Sequence, residues 1–279
     1  MTRYLIFMYA AVLLLAGCAR QAPPPPLVSI PAQPISFLDD VKPVLDSRCV
    51  VCHSCYNAAC QLKMSSFEGL DRGGSQKAVY SSARLSPQAP TRLFVDAHST
   101  DEWRDKDFHS VTTNPGEDPE DKSIMAYFLD AKRRNPVPEG RYLAEASDLT
   151  CAATTQKART FLGKHPGRGM PFGFPALPQA GYDTLATWLE QGANGPTEGE
   201  QAALTTPSAA AAAQIAKWES FLNLDDPKHA MTARYLYEHF FLAHIRFSEI
   251  DSTEFFSLVR STTPPGQPIS VIATVRPYD

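Results

Sequence analysis

Two cysteines two residues apart with a histidine directly behind the second, Cys49-Val50-Val51-Cys52-His53, restrict this chain more than any other feature in it. Thiols at that spacing can add to the two vinyl groups of one porphyrin, and the imidazole that follows is held where it reaches the iron. The motif predicts a covalent haem c, with Cys49 and Cys52 as the thioether residues and His53 as proximal ligand. Cys55 and Cys60 extend the run to Cys-x2-Cys-x2-Cys-x4-Cys, which invites an iron–sulfur or zinc reading. A bacterial ferredoxin run has three residues before its last cysteine and a proline after it; here there are four, and Gln61 follows. Cys55 and Cys60 are then expected to form a local disulfide. Cys151 is left as a buried thiol, or as the true partner of one of the two.

The N-terminus places this motif outside the cytoplasm. Arg3 is followed by an apolar run, Tyr4 to Ala16, too short to span a bilayer comfortably, so residues 1–17 read as a signal peptide. The run closes with Leu15-Ala16-Gly17-Cys18, which resembles a bacterial lipoprotein box with Cys18 as the lipidated residue. Ala19 behind it carries no signal for inner-membrane retention, so the expected location is the periplasm, anchored at the outer membrane. Pro23 to Pro26, with Pro31 and Pro34, make residues 18–35 an extended tether. Export also disfavours an iron–sulfur cluster. The net charge of -4, with Lys and Arg scattered, gives no basic surface for nucleic acid.

Of the 279 residues, 43% are hydrophobic, enough for one large domain or two small ones. Periodicity predicts a helix from Phe37 to Arg48 capped by Ser36, and one from Pro119 to Arg134 capped by Asp118, whose Lys132, Arg133 and Arg134 complement the C-terminal dipole. A third runs from Gln179 to Gln191, with Tyr182, Leu185, Trp188 and Leu189 as a core stripe and Gly192 to end it. The Pro-, Thr- and Glu-containing stretch from Gly195 to Ser208 reads as a boundary. Beyond it come an alanine-rich helix through Trp218, an aromatic helix from Lys228 to Phe247, and a strand from Ile269 to Val275. That strand has no visible partner in the sequence, so the chain is expected to stop before its fold is complete.

The expected second iron ligand is Met170, in the glycine-proline loop Gly167-Arg168-Gly169-Met170-Pro171-Phe172-Gly173, with His165 as a rival. His98, His109 and His229 read as surface or capping residues. A helix into Cys-x-x-Cys-His, a later Met-Pro loop and a closing helix resemble small c-type cytochromes. The fold class expected is therefore mainly α: a cytochrome c-like haem domain over 36–195, then an α-rich (α+β) module from 205 to 279.

A narrower resemblance rests on four segments: Cys49 to Lys63, Asp101-Glu102-Trp103-Arg104, Gly169 to Gly173, and Tyr235 to His244. Together they resemble the bacterial fatty acid cis/trans isomerases, of which this chain would be an N-terminal portion, since family members are longer. The resemblance implies a periplasmic enzyme that turns cis acyl double bonds of membrane phospholipids to trans in place, stiffening the bilayer under stress. In the chemistry proposed for the family, ferric haem draws electron density from the double bond so that rotation becomes easy. His53 and Met170 would then be the catalytic ligands. Iron held by both is six-coordinate, so either Met170 leaves or electrons move outer-sphere, and the second is the expectation. Tyr235, Tyr237, Phe240, Phe241 and Phe247 could line an acyl path near His239 and His244, although core packing is the plainer account. The two histidines, five apart, share no helical face, which argues against a metal pair. Arg104 could meet a haem propionate, although a solvated loop is the plainer account there too. The alternative function is a lipid-anchored cytochrome serving only periplasmic electron transfer. A haem peroxidase lacks a second haem motif or a distal acid-base pair.

Overall fold

Ser36 opens the first helical segment as the sequence predicts, its hydroxyl accepting the amide of Asp39. In a computed structural model that describes residues 33–54, 58–77, 79–81, 84–85, 87–113, 121–136, 151–250 and 253–279, this segment is a π-turn, Phe37–Val41, running into α1, Lys42–Arg48. The signal sequence, Cys18, Cys55 and the expected cap Asp118 lie outside the described residues. Phe37, Val41 and Leu45, spaced four apart, form one buried stripe.

That stripe meets α6, Gln179–Glu190, the third helix expected from sequence. Leu185 and Trp188 of α6 are wholly buried, and the Trp188 indole donates to the Asn194 carbonyl at 2.9 Å. The Phe37 ring packs edge-on against Phe67 at 5.4 Å and tilts against Trp188 at 6.0 Å. Met125 and Leu129 of α4, Ile124–Arg134, complete the main core. Its N-cap is Ser123, which accepts from the Ala126 amide, so the helix starts later than Pro119.

Between α1 and α4 lie α2, Phe67–Arg72, and α3, Thr100–Asp105, with short strands β1, Gly74–Ser75, β2, Tyr80–Ser81, β3, Arg84–Leu85, and β4, Phe108–His109. β1 pairs antiparallel with β4, Gly74 facing His109, and β2 with β3. Gly73 is required: its φ is 83°, and a Cβ there would lie 2.0 Å from the His109 carbonyl oxygen. Trp103, Phe108 and Ala97 form a small second cluster under the Arg72 guanidinium, which lies 4.9 Å from the Phe108 ring centre. Asp101 to Arg104 is thus helical and packed rather than a solvated loop, because Trp103 is 4% exposed.

Two further expectations are corrected, and two helices appear that the periodicity did not announce. The stretch read as a boundary contains α7, Glu198–Thr205, after α5, Thr155–Lys164, which the periodicity did not announce. A capping box, Thr197 with Glu200, starts α7, and Gln201 donates to Glu68 at 2.8 Å. α8, Ala209–Leu222, matches the alanine-rich helix, but the aromatic helix α9, Pro227–Phe240, ends seven residues early because Ile245 turns to pair with Phe256 in an isolated bridge. Ile269 to Val275 is not a strand; its one ladder contact is Val271 with Ser261. The described residues are mainly helical.

Candidate functional site

The cysteine motif closes α1. The Cys49 amide donates to Leu45 at 2.8 Å, and the amides of Cys52 and His53 both donate to the Cys49 carbonyl, at 3.1 and 2.9 Å, so the five residues form one tight turn. Among the described residues Cys49 and Cys52 are the unpaired thiols. Cys49 packs against the main core, and burial followed by the neighbouring Cys52 pushes its thiol up to about 11. It is protonated at neutral pH.

His53 is 9% exposed, and its Nδ1 lies 3.2 Å from the Leu62 carbonyl oxygen. A carbonyl can only accept, so Nδ1 carries the proton and Nε2 the lone pair, the tautomer that a metal-ligating imidazole needs. Burial is the largest influence and depresses the pKa of His53 below the ordinary value, against the carbonyls of Leu62 and Ala59. The Met64 amide closes the loop onto the His53 carbonyl at 2.7 Å.

The Leu62 carbonyl is aimed by what precedes it. Cys60 and Gln61 both take left-handed backbone, φ 58° and 50°. Arg72 Nη2 donates to the Gln61 carbonyl at 2.5 Å and Nη1 to the Thr91 carbonyl at 2.6 Å, while the Thr91 hydroxyl donates to Gln61 Oε1 at 3.0 Å. Cys60 is tied to Cys151, not to Cys55 as expected. The turn at Ala59–Gln61 brings the Cα atoms of residues 60 and 151 to 5.3 Å, inside the range a disulfide spans. Arg104, offered as a propionate contact, instead caps α2 by donating to the carbonyls of Arg72 and Asp71 at 2.8 and 2.9 Å.

The Met170 loop lies along α4. The Met170 amide donates to Phe128 at 3.0 Å, and Gly169 presses so close that a Cβ there would be 2.2 Å from the Lys132 amide nitrogen. Met170 shares a small cavity with Leu129, Lys132, Leu177 and Tyr182. Phe128, Leu177 and Tyr182 rest on the same core as Cys49, so both halves of the predicted ligand set are built on one foundation. Lys132 stands in the basic last turn of its helix as the sequence predicts, yet it is 1% exposed, and its Nζ has no hydrogen-bond partner among the described residues. The signal was its spacing from Met125 and Leu129, seven and three residues on, which continues the buried stripe. His165, the rival ligand, caps the end of α5 and stacks on Phe161 at 4.9 Å.

A second feature occupies the C-terminal part. Trp218 of α8, Leu236, Tyr237 and Phe240 of α9, Phe247 and Ile269 line a cleft of 1170 Å³, against roughly 300–1,000 Å³ for an ordinary small-molecule pocket. The aromatic stripe is therefore cleft wall in part rather than solid core. Tyr235 turns away and stacks on His239 at 3.9 Å, and Phe241 packs beneath Arg92 at 5.7 Å. His244 is on the cleft rim, whereas His229 meets Asp226 at the start of α9. Among the described residues no helix is long and apolar enough to cross a membrane.

An apolar cleft this large is the kind of site a lipid-handling enzyme presents. The chain belongs to the fatty acid cis/trans isomerase (CTI) family, whose model matches residues 88–279. The match takes in the Met170 loop and the cleft, and it begins after Cys49 to His53. Neither a curated protein nor a solved structure matches the chain.

Proposed function

We propose that this chain isomerises cis double bonds of acyl chains in membrane phospholipids, using a haem c attached at Cys49 and Cys52 and ligated by His53 and Met170. It would act in the periplasm, lipid-anchored at the outer membrane through Cys18. Isomerisation of fatty acids is the family's reaction. The cytochrome c-like domain, the haem and the phospholipid substrate belong to the proposal.

One observation carries the haem: a buried His53 whose Nδ1 proton is engaged by the Leu62 carbonyl, directly behind two unpaired thiols at porphyrin spacing. The residues fit the group. When bound, it would supply an electron-accepting centre that lowers the bond order of a nearby double bond. The chain's own contributions are separable. Leu62 and Arg72 fix the imidazole tautomer, the Phe128 carbonyl holds the Met170 loop against α4, and the cleft walls strip water from an acyl chain. His53 and Met170 would hold the iron of that group, and the chain's own part would be to keep both side chains in place.

Expression in a bacterium that makes no trans lipid, with gas chromatography of its phospholipid acyl chains, tests the reading. Trans acyl chains should appear with the native chain and vanish in His53→Ala, and the mature protein should stain for haem after denaturing electrophoresis. Stained protein without trans lipid would favour an electron carrier instead.

A further inference from the structure

We propose that Lys132 and Arg168 form a carboxylate seat on either side of Gly169-Met170, and that its ligands are the two propionates of the porphyrin. The inference rests on the haem reading above and adds the residues that would anchor the macrocycle's acidic edge.

An ammonium group out of water is strongly unfavourable unless a counter-charge meets it. Lys132 Nζ is in that position and has no hydrogen-bond partner among the described residues. Arg168 Nη1 is buried and unpartnered as well, although its guanidinium stacks on Phe172 at 5.0 Å. Lys132 lines the Met170 cavity, and Arg168 stands two residues ahead of Met170, joined to it through Gly169, whose backbone presses on that of Lys132.

Carboxylates on the same helix do not supply the charge. Asp130 serves the Tyr182 hydroxyl, Lys122 at 2.8 Å and Arg134 at 3.5 Å. Asp121, just ahead of α4, serves the Tyr127 hydroxyl and Arg159 at 3.6 Å. Arg133, next to Lys132, covers the Tyr182 ring at 4.3 Å and donates to Gln179 at 3.1 Å. Among the described residues, then, two cations with an unpartnered buried nitrogen stand near the residue expected at the iron, and a porphyrin attached through its vinyl groups carries two carboxylates on the opposite edge. Arg104, the propionate partner suggested by sequence, has both its Nη atoms committed to backbone.

The test uses haem-loaded protein and four variants, Lys132→Met, Lys132→Arg, Arg168→Gln and Arg168→Lys. Resonance Raman spectroscopy reads the low-frequency propionate bending mode, and a redox titration reads the midpoint potential. Lys132→Met and Arg168→Gln should each move the propionate mode to lower frequency, as its hydrogen bonds weaken. Each should also lower the midpoint potential, because a cation that disfavours ferric iron is gone. The charge-conserving variants should retain most of both signals. If Lys132→Met does not fold, Arg168→Gln, on a half-buried side chain, decides. An unchanged propionate mode in a haem-loaded Arg168→Gln or Lys132→Met protein overturns the seat while leaving the haem standing. A native protein whose haem extracts into acid acetone overturns the attachment beneath it, a different outcome.

Discussion

The Nδ1 proton of His53 has its place because residue 62 offers a carbonyl and residues 60 and 61 accept the left-handed backbone that aims it. Arg72 holds that geometry from below, so Arg72→Leu would strand the Gln61 and Thr91 carbonyls. It should lower unfolding free energy by about 2–6 kcal/mol in a denaturant titration, since each of the two orphaned acceptors costs about 1–3 kcal/mol. Met170→Ala, in haem-loaded protein, should abolish the sulfur-to-iron charge-transfer band and lower the midpoint potential by on the order of 0.1 V, given the leverage of axial ligands. Activity should fall with it; a faster variant would show instead that Met170 leaves during turnover. The cysteine motif could be read from sequence because the chemistry proposed for it needs only five adjacent residues. Lys132 could not, since a lysine in the last turn of a helix reads as a partner for the helix dipole until packing shows which way it points.

Helices were legible where a dense apolar stripe met a capping residue, as in α1, with Phe37, Val41 and Leu45 behind Ser36, and in α6 with Leu185 and Trp188. α5 buries only Thr155, Ala158 and Leu162, and α7 buries none of its residues, so neither produced a periodic signal. Pairings between distant elements had no local trace at all. The Cys60–Cys151 bond joins residues 91 apart, linking the turn that serves His53 to the approach of α5. Replacing both cysteines by serine should lower stability by about 4–5 kcal/mol on the chain-entropy account of so long a loop, a loss visible as a drop in Tm. The β1–β4 pair makes a pH prediction. Burial, aided by the charges of Arg104 and Lys157, depresses the His109 pKa against the Ala152 carbonyl. The unfolded chain then takes up this proton first as pH falls. The contribution is whole above the unfolded value of about 6.5 and is lost as pH drops toward the folded one. Thermal unfolding between about pH 7 and pH 5 should show that slope, and His109→Gln should flatten it.

At the scale of the whole molecule the question is whether the cleft between α8, α9 and the residues beyond them is where the acyl chain goes. Its walls are mostly apolar, with Arg234, Glu238, Arg246 and Arg260 among them, and Phe240 and Ile269 are 43% and 59% exposed, surface that an acyl chain would cover. The family match contains the cleft and excludes the cysteine motif, so the two features can be separated by mutation. Phe247→Asp puts a carboxylate on the cleft wall, where an acyl chain entering would have to desolvate it. The charge should cut trans acyl production by about tenfold or more, since a penalty of about 1.4 kcal/mol already gives that factor and desolvating an unpaired carboxylate exceeds it. Haem staining and the midpoint potential should be unchanged, because no described contact joins Phe247 to the Cys49, His53 or Met170 surroundings. Cys18→Ser should give the complementary phenotype, with haem and cleft intact but the protein released from the membrane fraction and trans lipid reduced. Full trans production by the Phe247→Asp protein would mean that the double bond reaches its electron acceptor by another route. Loss of haem in the same variant would mean that the cleft and the cysteine motif are one structural unit.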